Sequence, residues 1–470
     1  MGDSENSTRE DEAIARFTNS GTKPKRKRTA VPRSNGCGVP DEADHYLLAR
    51  ALIDAIERED GARPVYCLGR FWRTRGALWQ PQSLDGLAAE IGRRFGGLKY
   101  CRRGPDFRSI AQLVATVATE AEFFDRTPIG IAGPQNFWRV DPDTMDIVIE
   151  PLRPSHRQRM KLETEPDPDA DAPLWTRLLD QAFPPGSDDD AQRDLLQVLF
   201  GAALARSLWR HRVAVLFLGP TSTSKTTLLS VLTSLFPRDL VSATSPQNWR
   251  SEYYLASLAG MALNTVGELD PDEAIPGGAF KSVVGCDVIE GRHPTHRPFS
   301  FTCTAAHFFN ANRLPPTLDR SDAFFRRWRI VEFTHTIAPE VEDVEFAERI
   351  VESESGAIAA WMLEGAKRLM LNRRIPETEQ HRRAIARWRS ANNSALAFVL
   401  DPAACELDPS AKTDGIAVFQ RYREWAQQIG VRAFGRNNFY EALTEGAGRI
   451  GIGRMDTAFG IVLRGLRLRS

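Results

Sequence analysis

The residues best suited to chemistry follow an apolar run near the middle of the chain. The run Val213–Leu218 has strand length, and it is followed by Gly219, Pro220, Thr221, Ser222, Thr223, Ser224, Lys225, Thr226 and Thr227. Leucines at helix spacing come next, so the pattern predicts a strand, a phosphate loop and a helix. Backbone N–H groups of such a loop can surround a triphosphate, while Lys225 reaches the terminal phosphates and the Thr226 hydroxyl ligates Mg²⁺. Ser224 stands where this pattern usually has a second glycine.

A second candidate group is the acidic end of a short apolar run, Asn264-Thr-Val-Gly-Glu268-Leu-Asp270. An ATPase needs a carboxylate beside its phosphate loop, because one acid can orient Mg²⁺ and another can activate the attacking water. We predict this role for Glu268, with Asp270 as a further Mg²⁺ ligand. A strand that ends in an acid is common, so the pattern by itself discriminates little.

A third group combines an asparagine with a pair of arginines. A β-prone run ends at Asn312, and Arg326-Arg327 precede another such run. We predict that Asn312 holds the attacking water or senses the γ-phosphate of ATP. We expect Arg326 or Arg327 to reach the phosphates bound by a neighbouring subunit and to stabilise charge in the transition state. In isolation, a turn asparagine and surface arginines would be the simpler interpretation.

The segment between residues 280 and 301 is rich in glycine, proline and basic residues and is bounded by β-prone runs. It predicts a hairpin that presents positive charge to a phosphate backbone. The DNA-binding candidates are Lys281, Arg292, His293, His296 and Arg297.

Zinc binding is the rival interpretation of this segment, since His293-x-x-His296 is followed by Cys303 and His307. Zinc sites usually combine more tightly spaced cysteines. The basic hairpin is therefore favoured.

Composition limits the classes of protein that can position these groups. The 470 residues suffice for about three domains. Sixty-one basic and 61 acidic residues give no net charge, so any DNA-binding surface must be a local patch. The six cysteines are scattered and indicate reduced thiols. No signal peptide or membrane-spanning run is visible, and we expect a cytoplasmic protein without a membrane partner.

Changes in composition and periodicity divide the chain into five predicted regions. They are a disordered basic tail (1–40), a small α+β domain (41–160), a core with a helical lead-in (170–340), a helical region (341–400) and a winged-helix-like module (410–470). The tail could contact nucleic acid, direct nuclear import or remain solvated. The aromatic residues of the α+β domain could stack bases or pack its core. The last module could bind DNA through its arginines or cap the core.

Together, the phosphate loop, the acid-ended strand, the basic hairpin and the Asn-x-x-Pro with its arginine pair resemble superfamily 3 helicases. The helicase part of phage, plasmid and poxvirus primase-helicases is most similar. The resemblance implies an α/β fold with a P-loop AAA+-type ATPase core, a hexameric ring around DNA and 3′-to-5′ translocation. Ser224 departs from the family's glycine, and Gly267 stands where many members carry a first acid. These departures concern the rate of ATP turnover more than the fold.

The resulting expectation is an ATP- and Mg²⁺-dependent DNA helicase or translocase, acting as a homo-oligomeric ring on single-stranded or forked DNA. It would serve replication of a phage, plasmid or other mobile element in a bacterial or phage-infected cell. The sequence before residue 150 has no acidic pattern typical of a primase, so if the protein works with a primase or polymerase, we expect that activity to come from a separate polypeptide. The alternative is a nucleotide- and DNA-binding initiator or scaffold with weak ATPase activity. A small-molecule kinase would leave the hairpin, Asn312 and the arginine pair without a role.

Overall fold

The computed structural model describes residues 39–185, 189–295, 297–337, 345–429, 433–447, 451–458 and 460–469. The chain divides into two compact units, one formed by residues up to 55 together with 84–117, and the other by 56–83 together with the chain from 118 onward. Almost all of the predicted tail lies outside the described residues. Within the described part of the chain, no helix is long and apolar enough to cross a membrane.

The first unit is helical. It contains the N-terminal part of α1 (His45–Asp60), together with α2 (Leu84–Phe95) and α3 (Gly104–Val117). The buried side chains recur at helix spacing, among them Leu48, Leu52, Leu87, Ile91, Ile110 and Val114. The apolar spacing over residues 41–58 and from Leu87 to Val117 predicts helices, and these predictions are confirmed.

The second unit begins with two small antiparallel sheets. Their strands are β1 (Val65–Cys67), β2 (Arg70–Arg75), β3 (Leu78–Gln82), β4 (Gly130–Ala132), β5 (Asn136–Val140) and β6 (Ile147–Pro151). The apolar and aromatic run over residues 65–72 predicts one continuous strand, and this prediction is wrong. Leu68 and Gly69 both have positive φ, at 52° and 69°, and this left-handed pair turns the chain between β1 and β2.

A five-stranded parallel sheet forms the centre of the second unit. Its strands are β7 (Ala214–Leu218), β8 (Val241–Ser242), β9 (Leu263–Val266), β12 (Ala306–Ala311) and β13 (Trp328–Glu332), and a separate hairpin is formed by β10 (Val288–Gly291) and β11 (Phe299–Thr302). The spatial order of the sheet is β13-β7-β12-β9-β8. Helices α4 (Pro173–Ala182) and α5 (Asp190–Leu204) precede it, and α6 (Lys225–Ser234), α7 (Glu252–Ala256), α8 (Gly277–Val284) and α9 (Asp322–Phe325) connect its strands. The chain is therefore a mixed α/β protein.

The strand order brings together residues that are distant in sequence. All five strands are parallel, so their carboxyl ends meet at one edge of the sheet. Strand β12 lies between β7 and β9, which places the residues after it between the loop that follows β7 and the acids that follow β9.

Helix α10 (Phe346–Asn372) packs against α4 and α5, the helices that precede this sheet in the chain. It packs closely on α5, because a Cβ at Gly365 would lie 2.0 Å from the carbonyl oxygen of Gln197. The buried carboxylate of Glu354 accepts hydrogen bonds from the backbone N–H groups of Leu174 (2.8 Å) and Trp175 (2.7 Å). It thereby caps the first turn of α4 with a negative charge.

The region after α10 contains two helices where periodicity predicts a single one over residues 376–398. They are α11 (Glu379–Ala391) and α12 (Ser394–Leu400). The side chain of Asn393 accepts a hydrogen bond from the N–H of Leu396 at 2.9 Å and so starts a new helix. The prediction of one helix is wrong for this reason.

The C-terminal region combines a three-stranded antiparallel sheet with two helices. Its elements are β14 (Cys405–Asp414), α13 (Gly415–Gln428), α14 (Arg436–Ala447), β15 (Gly453–Thr457) and β16 (Gly460–Leu468), and the sheet order is β14-β16-β15. The sequence predicts helices around residues 418–429 and 437–443 and a hairpin after them, and these elements are confirmed. Strand β14 was not predicted, because its sequence lacks an apolar alternation.

Candidate active site

The loop from Gly219 to Ser224 joins β7 to α6. A Cβ at Gly219 would lie 2.1 Å from the carbonyl oxygen of Phe333, so only glycine fits this close approach between β7 and the end of β13. Ser222 and Ser224 have φ values of 56° and 65° in the left-handed region. Ser224 thus adopts a backbone conformation typical of the glycine it replaces.

The amino group of Lys225 is held by oxygens of this loop. Its Nζ donates to the carbonyl oxygen of Gly219 at 2.7 Å, to Thr223 Oγ1 at 3.1 Å and to the carbonyl oxygen of Pro220. Burial lowers the pKa of Lys225, and the charge of Glu268 partly opposes this effect. The hydrogen-bond partners of Lys225 are all neutral, so its charge is available to an anionic ligand.

Glu268 and Asn312 are in direct contact, although they follow different strands. Asn312 Nδ2 donates to Glu268 Oε1 at 2.6 Å. Both side chains are exposed or half-buried and face the same cavity as Lys225.

This cavity has a volume of about 460 Å³. Of the predicted residues, it is lined by Thr221, Ser222, Thr223, Ser224, Lys225, Thr226, Thr227, Glu268 and Asn312. Residues from three separate segments of the chain therefore meet at the carboxyl edge of the sheet. Lys225, Thr226, Glu268 and Asn312 are those with predicted chemical roles.

Asp270 is placed differently from Glu268. Its Oδ1 accepts a hydrogen bond from the N–H of Asp272 at 2.8 Å, and its backbone exchanges hydrogen bonds with Gln247. Asp270 is not among the described residues that line the cavity. The carboxylate next to the phosphate loop is that of Glu268.

The cavity also contains residues that sequence reasoning missed. Asn310 is 2% exposed, and among the described residues neither atom of its amide has a hydrogen-bond partner. Its position two residues before Asn312 in an extended segment was a usable signal, because residues two apart in a strand share a face. Arg177 and Gln181 reach the cavity from α4, and no local pattern indicates that.

The arginine pair lies elsewhere. Neither Arg326 nor Arg327 is among the described residues that line the cavity. Arg327 donates to the carbonyl oxygen of Ala323 at 2.6 Å, and burial together with the charge of Arg326 lowers its pKa. Arg326 is exposed.

The predicted basic hairpin is confirmed as a structural element, with Val288 opposite Thr302 and Gly291 opposite Phe299. The described candidates occupy distinct positions on it and beside it. The Arg292 Nη1 is 3.4 Å from Glu252 Oε1, the ring of His293 stacks on Phe299 at 5.4 Å between centroids, and Arg297 is exposed. Lys281 lies on α8 in an ion pair with Asp319 at 2.7 Å. His296 lies outside the described residues.

Two of the residues in the zinc alternative, Cys303 and His307, lie close to each other. Cys303 Sγ is 3.8 Å from His307 Nε2, and both side chains are buried. Burial lowers the pKa of His307 to about 3 and raises that of Cys303 to about 12. Within the described part of the chain, no three His, Cys, Asp or Glu side chains are grouped as metal ligands.

Comparison with known proteins adds little to this geometry. No protein family and no curated protein matches the chain. Among solved structures, the A-form apo structure of the C-terminal region of NrS-1 has 13% identity and a TM-score of 0.46, covering 90% of this chain and 98% of that chain. Another apo structure of the same region has 13% identity and a TM-score of 0.45, with coverages of 91% and 100%. Nothing about activity follows at this level of similarity.

Proposed function

We propose that this protein is an ATP-dependent DNA helicase or translocase of the superfamily 3 type, with a P-loop AAA+-type core. The observation that carries the proposal is the convergence of Lys225, Thr226, Glu268 and Asn312 on one cavity at the carboxyl edge of a parallel sheet. These are the groups needed to bind a triphosphate, hold Mg²⁺, activate water and orient it.

The cavity suits a triphosphate and a hard cation. Lys225 offers a charge balanced only by neutral oxygens, and Asn310 offers an amide with no partner among the described residues. The Thr226 hydroxyl and the Glu268 carboxylate are oxygen donors, which Mg²⁺ prefers. When bound there, Mg²⁺ would neutralise phosphate charge.

For hydrolysis, Glu268 is the residue placed to accept a proton from the attacking water. Asn312, which donates to Glu268 at 2.6 Å, keeps that carboxylate at the cavity and can orient the same water. Arg326 is exposed and does not line the cavity of its own chain, which suits action on the nucleotide of a neighbouring subunit in a hexameric ring.

We assign DNA contact to the β10–β11 hairpin, where the exposed Arg297 supplies positive charge beside the turn and Arg292 is within ion-pair distance of Glu252. The C-terminal region is proposed to be winged-helix-like, since its two helices stand between β14 and the β15–β16 hairpin. Its arginines at 454, 467 and 469 are each within ion-pair distance of an aspartate or glutamate, which favours a packing role for that module.

The test is unwinding of forked DNA by the full chain with ATP and Mg²⁺. Lys225→Ala should abolish ATP-dependent unwinding, because it removes the cation that faces the phosphates. Lys412→Ala is the matched control, since Lys412 is exposed on β14. Wild-type protein that binds DNA without ATP-dependent unwinding would refute the helicase proposal.

That result would favour the second candidate, an initiator or scaffold with weak ATPase activity. The observation behind it is that Glu268 is the only carboxylate among the described residues lining the cavity, with Gly267 beside it. ATP binding with slow turnover would then accompany DNA binding.

A further inference from the structure

A second, smaller cavity in the same unit is lined by four arginines, Arg157, Arg159, Arg206 and Arg210. Its volume is about 40 Å³, and it shares no lining residue with the candidate active site. None of the functional assignments above uses these residues. We define them as the arginine cluster.

Neutral groups hold three members of the cluster in place. Arg157 Nη1 donates to the carbonyl oxygen of Phe123 at 2.6 Å. Arg210 Nη2 donates to the backbone carbonyl oxygens of Asp125 (2.9 Å) and Thr127 (3.1 Å). The guanidinium of Arg159 lies over the ring of Phe124 at 5.2 Å from its centroid.

Within the described part of the chain, none of the four arginines forms an ion pair, and Arg206 Nη1 is inaccessible to solvent without a hydrogen-bond partner. Arg157, Arg159 and Arg206 are half-buried, and Arg210 is exposed. Asp125 is the one carboxylate among the described lining residues; its backbone oxygen accepts from Arg210, and its charge opposes the lowering of the Arg210 pKa by burial. Gathering unpaired cations in a partly buried cavity is unfavourable unless an anion joins them.

The effect of burial on the arginine pKa values agrees with this geometry. Burial lowers the pKa of Arg159 to about 10 and lowers that of Arg206, where the charge of Arg159 adds to the effect. The two guanidinium groups therefore repel each other.

We propose that the arginine cluster binds a single phosphoryl group. The cavity of about 40 Å³ exceeds the ~10–15 Å³ that one water needs, and it is far smaller than the cavity of about 460 Å³ proposed for the nucleotide. Guanidinium groups match the oxygens of phosphate through paired N–H donors. The phosphoryl group could belong to a DNA backbone or to free phosphate.

The position of the cluster favours a DNA backbone. Thr304, another lining residue, lies two residues after the end of β11, and the backbone oxygen of Ser300 on that strand is 4.0 Å from where a Cβ of Gly69 would lie. The cluster is therefore near the base of the β10–β11 hairpin. The inference that the phosphoryl group belongs to a DNA backbone rests on the proposed function, whereas binding of free phosphate does not.

The first arm of the test is calorimetric titration of inorganic phosphate into the full chain carrying Lys225→Ala, which disables the other phosphate-binding cavity. Adding Arg206→Met should weaken phosphate binding at least tenfold. Arg126→Met is the matched control, because Arg126 is 70% exposed, pairs with Glu122 and does not line the cavity. Its phosphate affinity should be unchanged.

The second arm measures binding of a short oligothymidylate as a function of salt in the chain with Lys225 intact. If the cluster holds a backbone phosphate, Arg206→Met should reduce the slope of log affinity against log salt by about 0.7. Arg210→Met is the second variant. It replaces Arg206→Met in the phosphate titration and in the oligothymidylate measurement if Arg206→Met does not fold.

A loss in either arm supports the proposal and identifies the source of the phosphoryl group. Folded Arg206→Met or Arg210→Met protein with wild-type phosphate affinity and wild-type salt slope would overturn it. The phosphate arm requires no ATP turnover, so its outcome is independent of the unwinding assay. A failed helicase proposal and a failed phosphate site can therefore be told apart.

Discussion

Replacing Ser224 with glycine tests how the phosphate loop tolerates a non-glycine residue. Ser224 has φ = 65°, and its Oγ is buried without a hydrogen-bond partner among the described residues. Two unfavourable contributions therefore act at one position, and they can be separated. Ser224→Ala removes the hydroxyl and keeps the strained backbone, whereas Ser224→Gly removes both.

The magnitudes follow from these two contributions. Left-handed backbone costs a non-glycine residue about 1–2 kcal/mol. A buried hydroxyl without a partner costs about 1–3 kcal/mol. Glycine loses more entropy on folding than other residues, which offsets about 0.5–1 kcal/mol of the gain. We expect Ser224→Gly to raise the free energy of unfolding by about 2 kcal/mol and Ser224→Ala by about 1 kcal/mol.

Urea unfolding of the full chain, followed by tryptophan fluorescence, measures both differences. Ser222→Gly is the control, because Ser222 has φ = 56° but an exposed side chain, so only the backbone contribution applies. ATP turnover measured in parallel should be no slower in Ser224→Gly than in the wild type, since the loop already has the glycine conformation.

The reasoning is refuted if Ser224→Ala is as stable as Ser224→Gly, because the left-handed penalty would then not exceed the entropy that glycine loses on folding. Loss of stability in Ser224→Gly would refute it as well. Unchanged stability with slower turnover would show that the hydroxyl acts in catalysis.

Three further changes probe the site and its support. Gly219→Ala should lower the free energy of unfolding by about 1–3 kcal/mol, because the new Cβ would lie 2.1 Å from the carbonyl oxygen of Phe333. Urea unfolding measures this change, and wild-type stability would contradict the close approach. A Cβ at Gly267 would have no atom within 4 Å, so Gly267→Asp can add a carboxylate beside Glu268 without a clash. The Mg²⁺ affinity, measured by titrating Mg²⁺ in an ATPase assay, should rise about fivefold, which corresponds to about 1 kcal/mol. An unchanged affinity would exclude a Mg²⁺ position beside residue 267. Burial lowers the pKa of His381 from 6.5 to about 4, so as the pH falls the unfolded chain binds a proton at this position before the folded chain does. The free energy of unfolding should therefore fall by about 3 kcal/mol between pH 6.5 and pH 4. His381→Asn should make the free energy of unfolding, measured by urea titration, less dependent on pH, and an equally steep loss would assign the dependence to other groups.

Features that depend on neighbouring residues were predictable from sequence. The apolar run before Gly219 is a buried strand, Lys225 begins a helix, and residues 288–302 form a hairpin. In each case the hydrogen bonds and the periodicity that define the element lie within a short segment. The same locality explains the errors, because a positive φ at Leu68 and a cap at Asn393 interrupt elements that periodicity alone would continue.

The composition of the candidate site was only partly predictable. Sequence patterns selected Lys225, Glu268 and Asn312 as separate candidates, but their meeting depends on β12 lying between β7 and β9. Strand order is set by packing over the whole sheet, and no local pattern encodes it. Arg177 reaches the cavity for the same kind of reason, since Glu354, far along the chain, caps the helix that carries it.

The sequence by itself therefore determined the local elements and the types of chemical group, because backbone preferences and side-chain periodicity act over a few residues. Only the tertiary structure decided which of those groups share a cavity. It placed Asn310 in the same cavity as Lys225, left Asp270 outside, and brought Arg159 and Arg206 into one cavity with two further arginines and a single carboxylate, Asp125. These placements depend on how distant segments pack, and burial then determines which charges remain without a partner.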